Sequence, residues 1–163
     1  MGLRAIAAVR PLLRTGAREE MTKALSRAPA YRFPNARPDY IVKTREFLRR
    51  SFGMRLREQL ASFDDPLARR DWLAREPRIK GLGYKEASHF LRNIGFRGYG
   101  ILDKHVLRCL AEVGVIESAK PPAGRAHYLE TEQRMRRFAK DVSIDFDELD
   151  LVLWSMKTGE VLR

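Results

Sequence analysis

Two residues of this sequence, Lys85 and Asp103, combine side-chain types and surroundings that could do chemistry, and they stand eighteen positions apart. Lys85 lies in Gly81-Leu82-Gly83-Tyr84-Lys85-Glu86-Ala87, and Asp103 in Gly100-Ile101-Leu102-Asp103-Lys104-His105. Two glycines flanking one apolar residue allow a tight hairpin whose backbone N–H groups lie exposed. Together with the N-terminus of the helix that follows, those groups make a seat for phosphate. Lys85 falls in the first turn of that helix, where the helix dipole opposes an ammonium ion. That position suits amine chemistry better than an ordinary solvated helix face does. Asp103 precedes an apolar helix (Val106, Leu107, Leu110) and reads as its N-cap, worth about 1 kcal/mol. It also reads as a carboxylate held beside Lys85 across a helix–loop–helix turn. A carboxylate bound by N–H groups favours its ionised form, so it would serve as an electrostatic stabiliser rather than a strong base.

The elements that must position these groups are helical, because apolar residues recur at helical spacing and no alternating run reaches strand length. Helices are expected over 17–28, from Pro38 to about Ser51, and near 54–61. Asp65 as N-cap and Pro66 at N1 open another that ends near Glu76. A tight turn at Lys80–Gly83 leads into a helix over 84–94, and a Gly-rich loop then runs to Gly100. Further helices begin at Asp103 and near 130 and 146, with Pro121-Pro122 in the one clear loop and Thr158-Gly159 as a stop. In the 84–94 helix Ala87, Phe90, Leu91 and Ile94 share an apolar face, while Lys85, Ser88, His89 and Arg92 lie opposite. Leu82 would plug the hairpin into the core, and Ala87 would let the two helices approach closely. In the last helix Leu149, Val152, Leu153 and Met156 make the apolar stripe, and Trp154 falls off it beside Asp147 and Asp150. The fold class is therefore all-α: one helical domain over residues 1–163, or two small lobes around a cleft.

Composition narrows the partners. Of 163 residues, 32 are Lys or Arg and 21 Asp or Glu, a net charge of +11. Residues 1–60 hold 14 basic and 5 acidic side chains and residues 78–108 hold 7 and 2, whereas residues 141–160 hold 1 and 6. A basic front and centre make a polyanion the first partner to consider, with nucleic acid ahead of membrane. The single cysteine, Cys109, excludes an intrachain disulfide and an iron–sulfur cluster. With His89, His105 and His127 scattered along the chain, no zinc site is expected either. No stretch approaches the ~20 apolar residues of a membrane span. The N-terminal run Met1–Leu13 is interrupted by Arg4, Arg10 and Pro11, which argues against a signal peptide. A reducing, cytoplasmic setting beside the nucleoid is the expectation.

Gly81-Leu82-Gly83-Tyr84-Lys85-Glu86-Ala87-Ser88-His89-Phe90-Leu91-Arg92-Asn93, followed by Ile101-Leu102-Asp103-Lys104-His105, resembles the archaeal-type 8-oxoguanine DNA glycosylase/AP lyase family. That family lies within the helix-hairpin-helix DNA glycosylase superfamily. Arg32-Phe33-Pro34-Asn35, Leu149-Asp150-Leu151, Trp154 and Lys157-Thr158-Gly159 match it too, so the likeness runs from about Arg32 to the C-terminus. The resemblance implies a helix-hairpin-helix at about 66–94 and an enzyme of two activities. Lys85 would attack C1′ of a flipped-out 8-oxoguanine nucleotide and displace the base. The resulting Schiff base would allow β-elimination of the abasic strand. Asp103 would orient Lys85 or take its proton and stabilise charge at the sugar. Trp154, Asp150 and Arg163 would bind the lesion base; Arg163 stands where family members usually end in lysine. Arg32 and Phe33 would touch the duplex gap or opposite base, and Gly81, Leu82, Gly83 and Arg92 would bind DNA phosphate. Double-stranded DNA with an oxidised purine or an abasic site would be the partner, the chain acting as a monomer with no metal or organic cofactor. Family members carry further helices before the segment matching residues 1–30, and this sequence is expected to lack them. Two alternatives stay open: an AP lyase or a glycosylase for another damaged base with an incomplete pocket, and a non-catalytic helix-hairpin-helix DNA-binding module.

Overall fold

The computed structural model describes residues 2–28 and 31–158, and every regular element among them is a helix, as the apolar spacing requires. The chain divides into two compact units, residues 1–81 and 82–163.

The first unit holds α1 (Gly2–Val9), a 3-10 turn (Arg10–Leu12), α2 (Arg18–Ser26), α3 (Ala36–Phe52), α4 (Leu56–Ala61) and α5 (Pro66–Arg75). The sequence reading assigned no helix before residue 17. The segment becomes α1 because Ala5 and Val9, four apart on one face, pack with Leu25, while Pro11 confines the helix to what precedes it. Leu3 and Ile6 stay exposed. Helix α3 starts earlier than expected and stops at Gly53, whose left-handed φ of 53° lets its N–H close on the carbonyls of Arg49 and Leu48. A second set of contacts joins Phe47, Phe52, Phe63 and Trp72, with ring centroids 5.5–6.4 Å apart.

Asp65 caps α5 as expected: its carboxylate accepts from the N–H groups of Leu67 and Ala68 at 2.9 and 3.1 Å, with Pro66 at the first helical position. Asp65→Ala should therefore lower the free energy of unfolding by about 1 kcal/mol in urea titrations. After α5 the chain turns through residues 76–83. The Thr44 hydroxyl steadies this turn, donating to the Arg78 carbonyl and accepting from the Lys80 N–H at 3.1 Å. Gly81 closes the turn at φ +77°, with the Tyr40 ring 2.8 Å from where a Cβ would stand. Any side chain there would be strained and crowded.

The second unit holds α6 (Tyr84–Asn93), α7 (Lys104–Glu112), α8 (Arg125–Asp141) and α9 (Phe146–Thr158). Its core unites Leu102, Val106, Leu107 and Leu110 with Tyr128, Met135, Leu149 and Leu153. The α9 stripe is narrower than its sequence suggested. Leu149 and Leu153 are buried, but Val152 and Met156 face solvent, so among the apolar residues burial follows the i, i+4 row. Helix α8 begins five residues before the expected start near 130, immediately after Gly124 at φ +87°. Tyr128 is thereby brought onto the helix face that meets the core.

Candidate active site

Helix α6 opens without a side-chain N-cap bond from Gly83, and the Glu86 carboxylate turns back to the Gly83 N–H, half of a capping box. The N–H groups of Gly81 and Leu82 meet no acceptor among the described residues. One residue before Glu86, the Lys85 ammonium pairs with the Glu86 carboxylate at 3.0 Å, both side chains about two-fifths exposed. Burial pushes the Glu86 carboxyl upward. The hydrogen bond and charge of Lys85, with backbone N–H groups, outweigh it and hold the group below its ordinary value. A carboxyl shifted down in the folded state adds stability above its unfolded pKa and loses it as pH falls through the folded one. Glu86→Gln should thus destabilise by no more than about 1 kcal/mol at pH 7, given this exposure. The gap should close toward pH 3; urea titrations of both proteins at the two pH values would test this.

Asp103 takes its expected place as N-cap of α7. Its Oδ1 accepts from the N–H groups of both His105 and Val106 at 2.8 Å. The loop that delivers it is held by three side chains of α8. Glu132 accepts from the Gly100 N–H at 2.7 Å, the Tyr128 hydroxyl donates to the Gly100 carbonyl at 2.8 Å, and Arg136 donates to the Gly98 carbonyl at 2.8 Å. Gly100 is tightly enclosed: a Cβ would lie 3.1 Å from Glu132 Cγ and 3.2 Å from the Phe146 ring, so both side chains would have to shift by a few tenths of an ångström. None of the three α8 residues is singled out by the sequence. Their spacing of four along α8 was visible, but the expected start near 130 left Tyr128 outside the helix.

Two cavities adjoin here, and three side chains line both: Lys85, Asp103 and Trp154. The larger, about 690 Å³, is bounded by Tyr84, Lys104, His105, Tyr128 and the 121–124 loop. The smaller, about 340 Å³, is bounded by His89, Arg92, Asn93, Ile101, Asp150 and Leu151. Trp154, off the apolar stripe in the sequence, thus forms a wall common to both.

Two residues of the polar face of α6 have other partners than the sequence suggested. Ser88 is fully buried, near the Tyr128 hydroxyl at 3.4 Å. Arg92, expected on DNA phosphate, binds the acidic face of α9. It donates to Asp150 Oδ1 at 2.6 Å and to the Asp147 carbonyl, and its Nε lies 3.7 Å from Asp147 Oδ1. Arg97 adds contacts to Asp145 and Asp147, and Asp147 also accepts from the Gly98 N–H. Burial raises the Asp150 carboxyl above its ordinary value, and the hydrogen bond and charge of Arg92 oppose that rise. Asp150 is therefore a wall of the smaller cavity whose carboxylate is already engaged by a cation.

Arg32 and Phe33 are exposed in the first unit, with the Arg32 guanidinium 5.4 Å from the Phe33 ring centroid. Arg163 lies outside the described residues. Among the described residues no group of three or more His, Cys, Asp or Glu could hold a metal ion, and no helix is long and apolar enough to cross a membrane.

Residues 1–144 match the family described as 8-oxoguanine DNA glycosylase. The 8-oxoguanine DNA glycosylase/AP lyase of Korarchaeum cryptofilum is 38% identical over 162 residues, covering 99% of this chain and 74% of that protein. The enzyme of the same name from Methanocaldococcus jannaschii is 38% identical over 146 residues, 90% of this chain and 66% of that protein. This chain thus spans about two-thirds to three-quarters of the length of these relatives. A crystal structure of the M. jannaschii 8-oxoguanine glycosylase/lyase, in complex with a 15mer DNA containing 8-oxoguanine, superimposes with a TM-score of 0.85 at 36% identity. That match covers 99% of this chain and 74% of the other.

Proposed function

The chain belongs to the 8-oxoguanine DNA glycosylase family, and from that premise we propose that it is a base-excision repair enzyme removing 8-oxoguanine and then cutting the abasic strand. The observation that carries this reading is that Lys85, Asp103 and Trp154 each line both adjoining cavities. A flipped nucleotide placed there has its base in the smaller cavity, between Trp154 and the apolar side chains of Ile101 and Leu151. Its sugar stands at Lys85 and Asp103.

In this reading Lys85 gives one ammonium proton to water as it leaves Glu86 and attacks C1′ as a neutral amine, and the base departs with the C1′–N9 bonding pair. Asp103, fixed by two N–H groups, stabilises positive charge developing at the sugar. The imine between Lys85 and C1′ then makes the C2′ proton acidic, and elimination of the 3′ phosphate follows. The hairpin amides of Gly81 and Leu82 hold backbone phosphate, which fixes position without reading sequence, while the Gly83 N–H, expected to join them, is taken by Glu86. Arg92 acts from behind the base cavity by holding Asp150 and α9, and so Trp154, in place. By the family motifs, Arg163 binds the lesion base, and Arg32 and Phe33 fill the duplex gap or touch the opposite base. The chain works on double-stranded DNA as a monomer.

The test is borohydride trapping on a duplex with one 8-oxoguanine, beside an abasic duplex and a Lys85→Gln control. An adduct on both duplexes that the variant lacks is the expected result. Trapping on the abasic duplex alone would mean a lyase with an incompetent base pocket, and no adduct on either would overturn the catalytic reading.

A further inference from the structure

Attack by an amine leaves a proton on Nζ that must go somewhere before the sugar ring can open. Asp103 is already committed as the N-cap of α7, its Oδ1 accepting from the N–H groups of His105 and Val106. Asp150 is engaged by Arg92, and Glu86 is tied to the start of α6. The smaller cavity contains one further proton acceptor. His89 follows Lys85 by four residues on α6, so their Cβ atoms are about 6 Å apart on one face. It lines the same cavity as Lys85, is exposed, and has no hydrogen-bond or ion-pair partner among the described residues. His105 lines the larger cavity and not the smaller one that holds His89.

We propose that His89 is the proton carrier of the reaction, taking a proton from Lys85 after attack on C1′ and returning it to the sugar ring oxygen. This rests on the function proposed above. The steps balance as follows. Nζ forms a bond to C1′, and the base leaves with the C1′–N9 pair and takes its own proton from water. The imidazole of His89 removes one proton from the now cationic Nζ. The Nζ lone pair then forms the C=N bond as the C1′–O4′ bond breaks, and the imidazolium delivers its proton to O4′. Neutral imidazole is regenerated and a protonated imine remains. Imidazole suits this task because it both accepts and releases a proton near neutrality. The charged groups lining the cavity with it are Lys85 and Arg92 of α6, Asp103 at the start of α7 and Asp150 of α9.

The experiment measures single-turnover formation of the borohydride-trapped imine and strand cleavage on the 8-oxoguanine duplex from pH 5 to pH 9, with base release followed alongside, for the wild type, His89→Ala, His89→Gln and His105→Gln. Each protein is also tested for borohydride trapping on an abasic duplex. His89→Ala and His89→Gln should form the imine and cut the strand about 10²-fold more slowly. Base release, which precedes the proton transfer, should change far less, and the pH profile of imine formation should lose a limb. Added imidazole should restore His89→Ala in proportion to its neutral form. His105→Gln should give no such rescue. A His89→Ala profile parallel to the wild type and unmoved by imidazole, or rates within twofold of it, would overturn the inference. Failure of the wild type to form a Lys85-dependent adduct would instead remove the proposed function beneath it.

Discussion

Lys85→Gln should bind an abasic or 8-oxoguanine duplex as the wild type does, yet form no borohydride-trapped adduct and show base excision and strand cleavage reduced by at least about 10³-fold. Glutamine keeps most of the stem and a polar end, so the wall shared by the two cavities stays filled. It can still meet Glu86 as a neutral hydrogen-bond donor, so the start of α6 is preserved. What it cannot do is form an imine, because an amide nitrogen lacks the available lone pair of an amine. Binding should survive because the net charge of +11 falls by only one and the hairpin backbone is untouched. Gel-shift affinity alongside trapping separates the outcomes. Loss of both would make Lys85 a binding residue, and retention of the adduct would place the nucleophile elsewhere.

The second large effect is on stability. Arg92→Ala should lower the free energy of unfolding by about 3–5 kcal/mol, because it leaves Asp150 buried without its cation. The Arg92 and Asp150 side chains are only 14% and 8% exposed, so water would screen little of this loss. Thermal unfolding should shift down by roughly 10 °C. The pH dependence has a definite sign. Burial already raises the Asp150 carboxyl, and without Arg92 that push is unopposed. A raised carboxyl costs nothing below its unfolded pKa, and the penalty grows as pH rises through the folded one. The deficit of Arg92→Ala should therefore be smaller at pH 4 than at pH 7. Replacing both partners with leucine should recover most of the loss, since neither charge is then stranded. A single variant within about 0.5 kcal/mol of the wild type, by chemical denaturation, would show that the pair contributes little.

Features that depend on near neighbours are legible in the amino-acid sequence alone. The all-α class followed from apolar spacing, and the caps at Asp65 and Asp103 followed from an acidic residue placed just before a helix, where free N–H groups await an acceptor. The glycine hairpin followed from residues that tolerate backbone others avoid. Family membership was legible from the runs Gly81–Asn93 and Ile101–His105, because the family's motif residues fall there in two short stretches.

Tertiary structure decided what depends on residues far apart in the chain. Arg92 reads as a solvated cation on a polar helix face, and only the approach of Asp147 and Asp150, more than fifty residues away, makes it an internal tie. Ser88 on the same face is buried because Tyr128 of α8 covers it. Glu132, Tyr128 and Arg136 are ordinary helix residues in sequence, and their role comes from the loop carbonyls and N–H groups they meet at Gly98 and Gly100. Periodicity states which side of a helix is apolar, but not how wide a stripe its neighbours will cover, so Val152 and Met156 stay in solvent. The same limit applies to Lys85, Asp103 and Trp154, whose common position between two cavities is fixed by packing among α6, α7, α8 and α9.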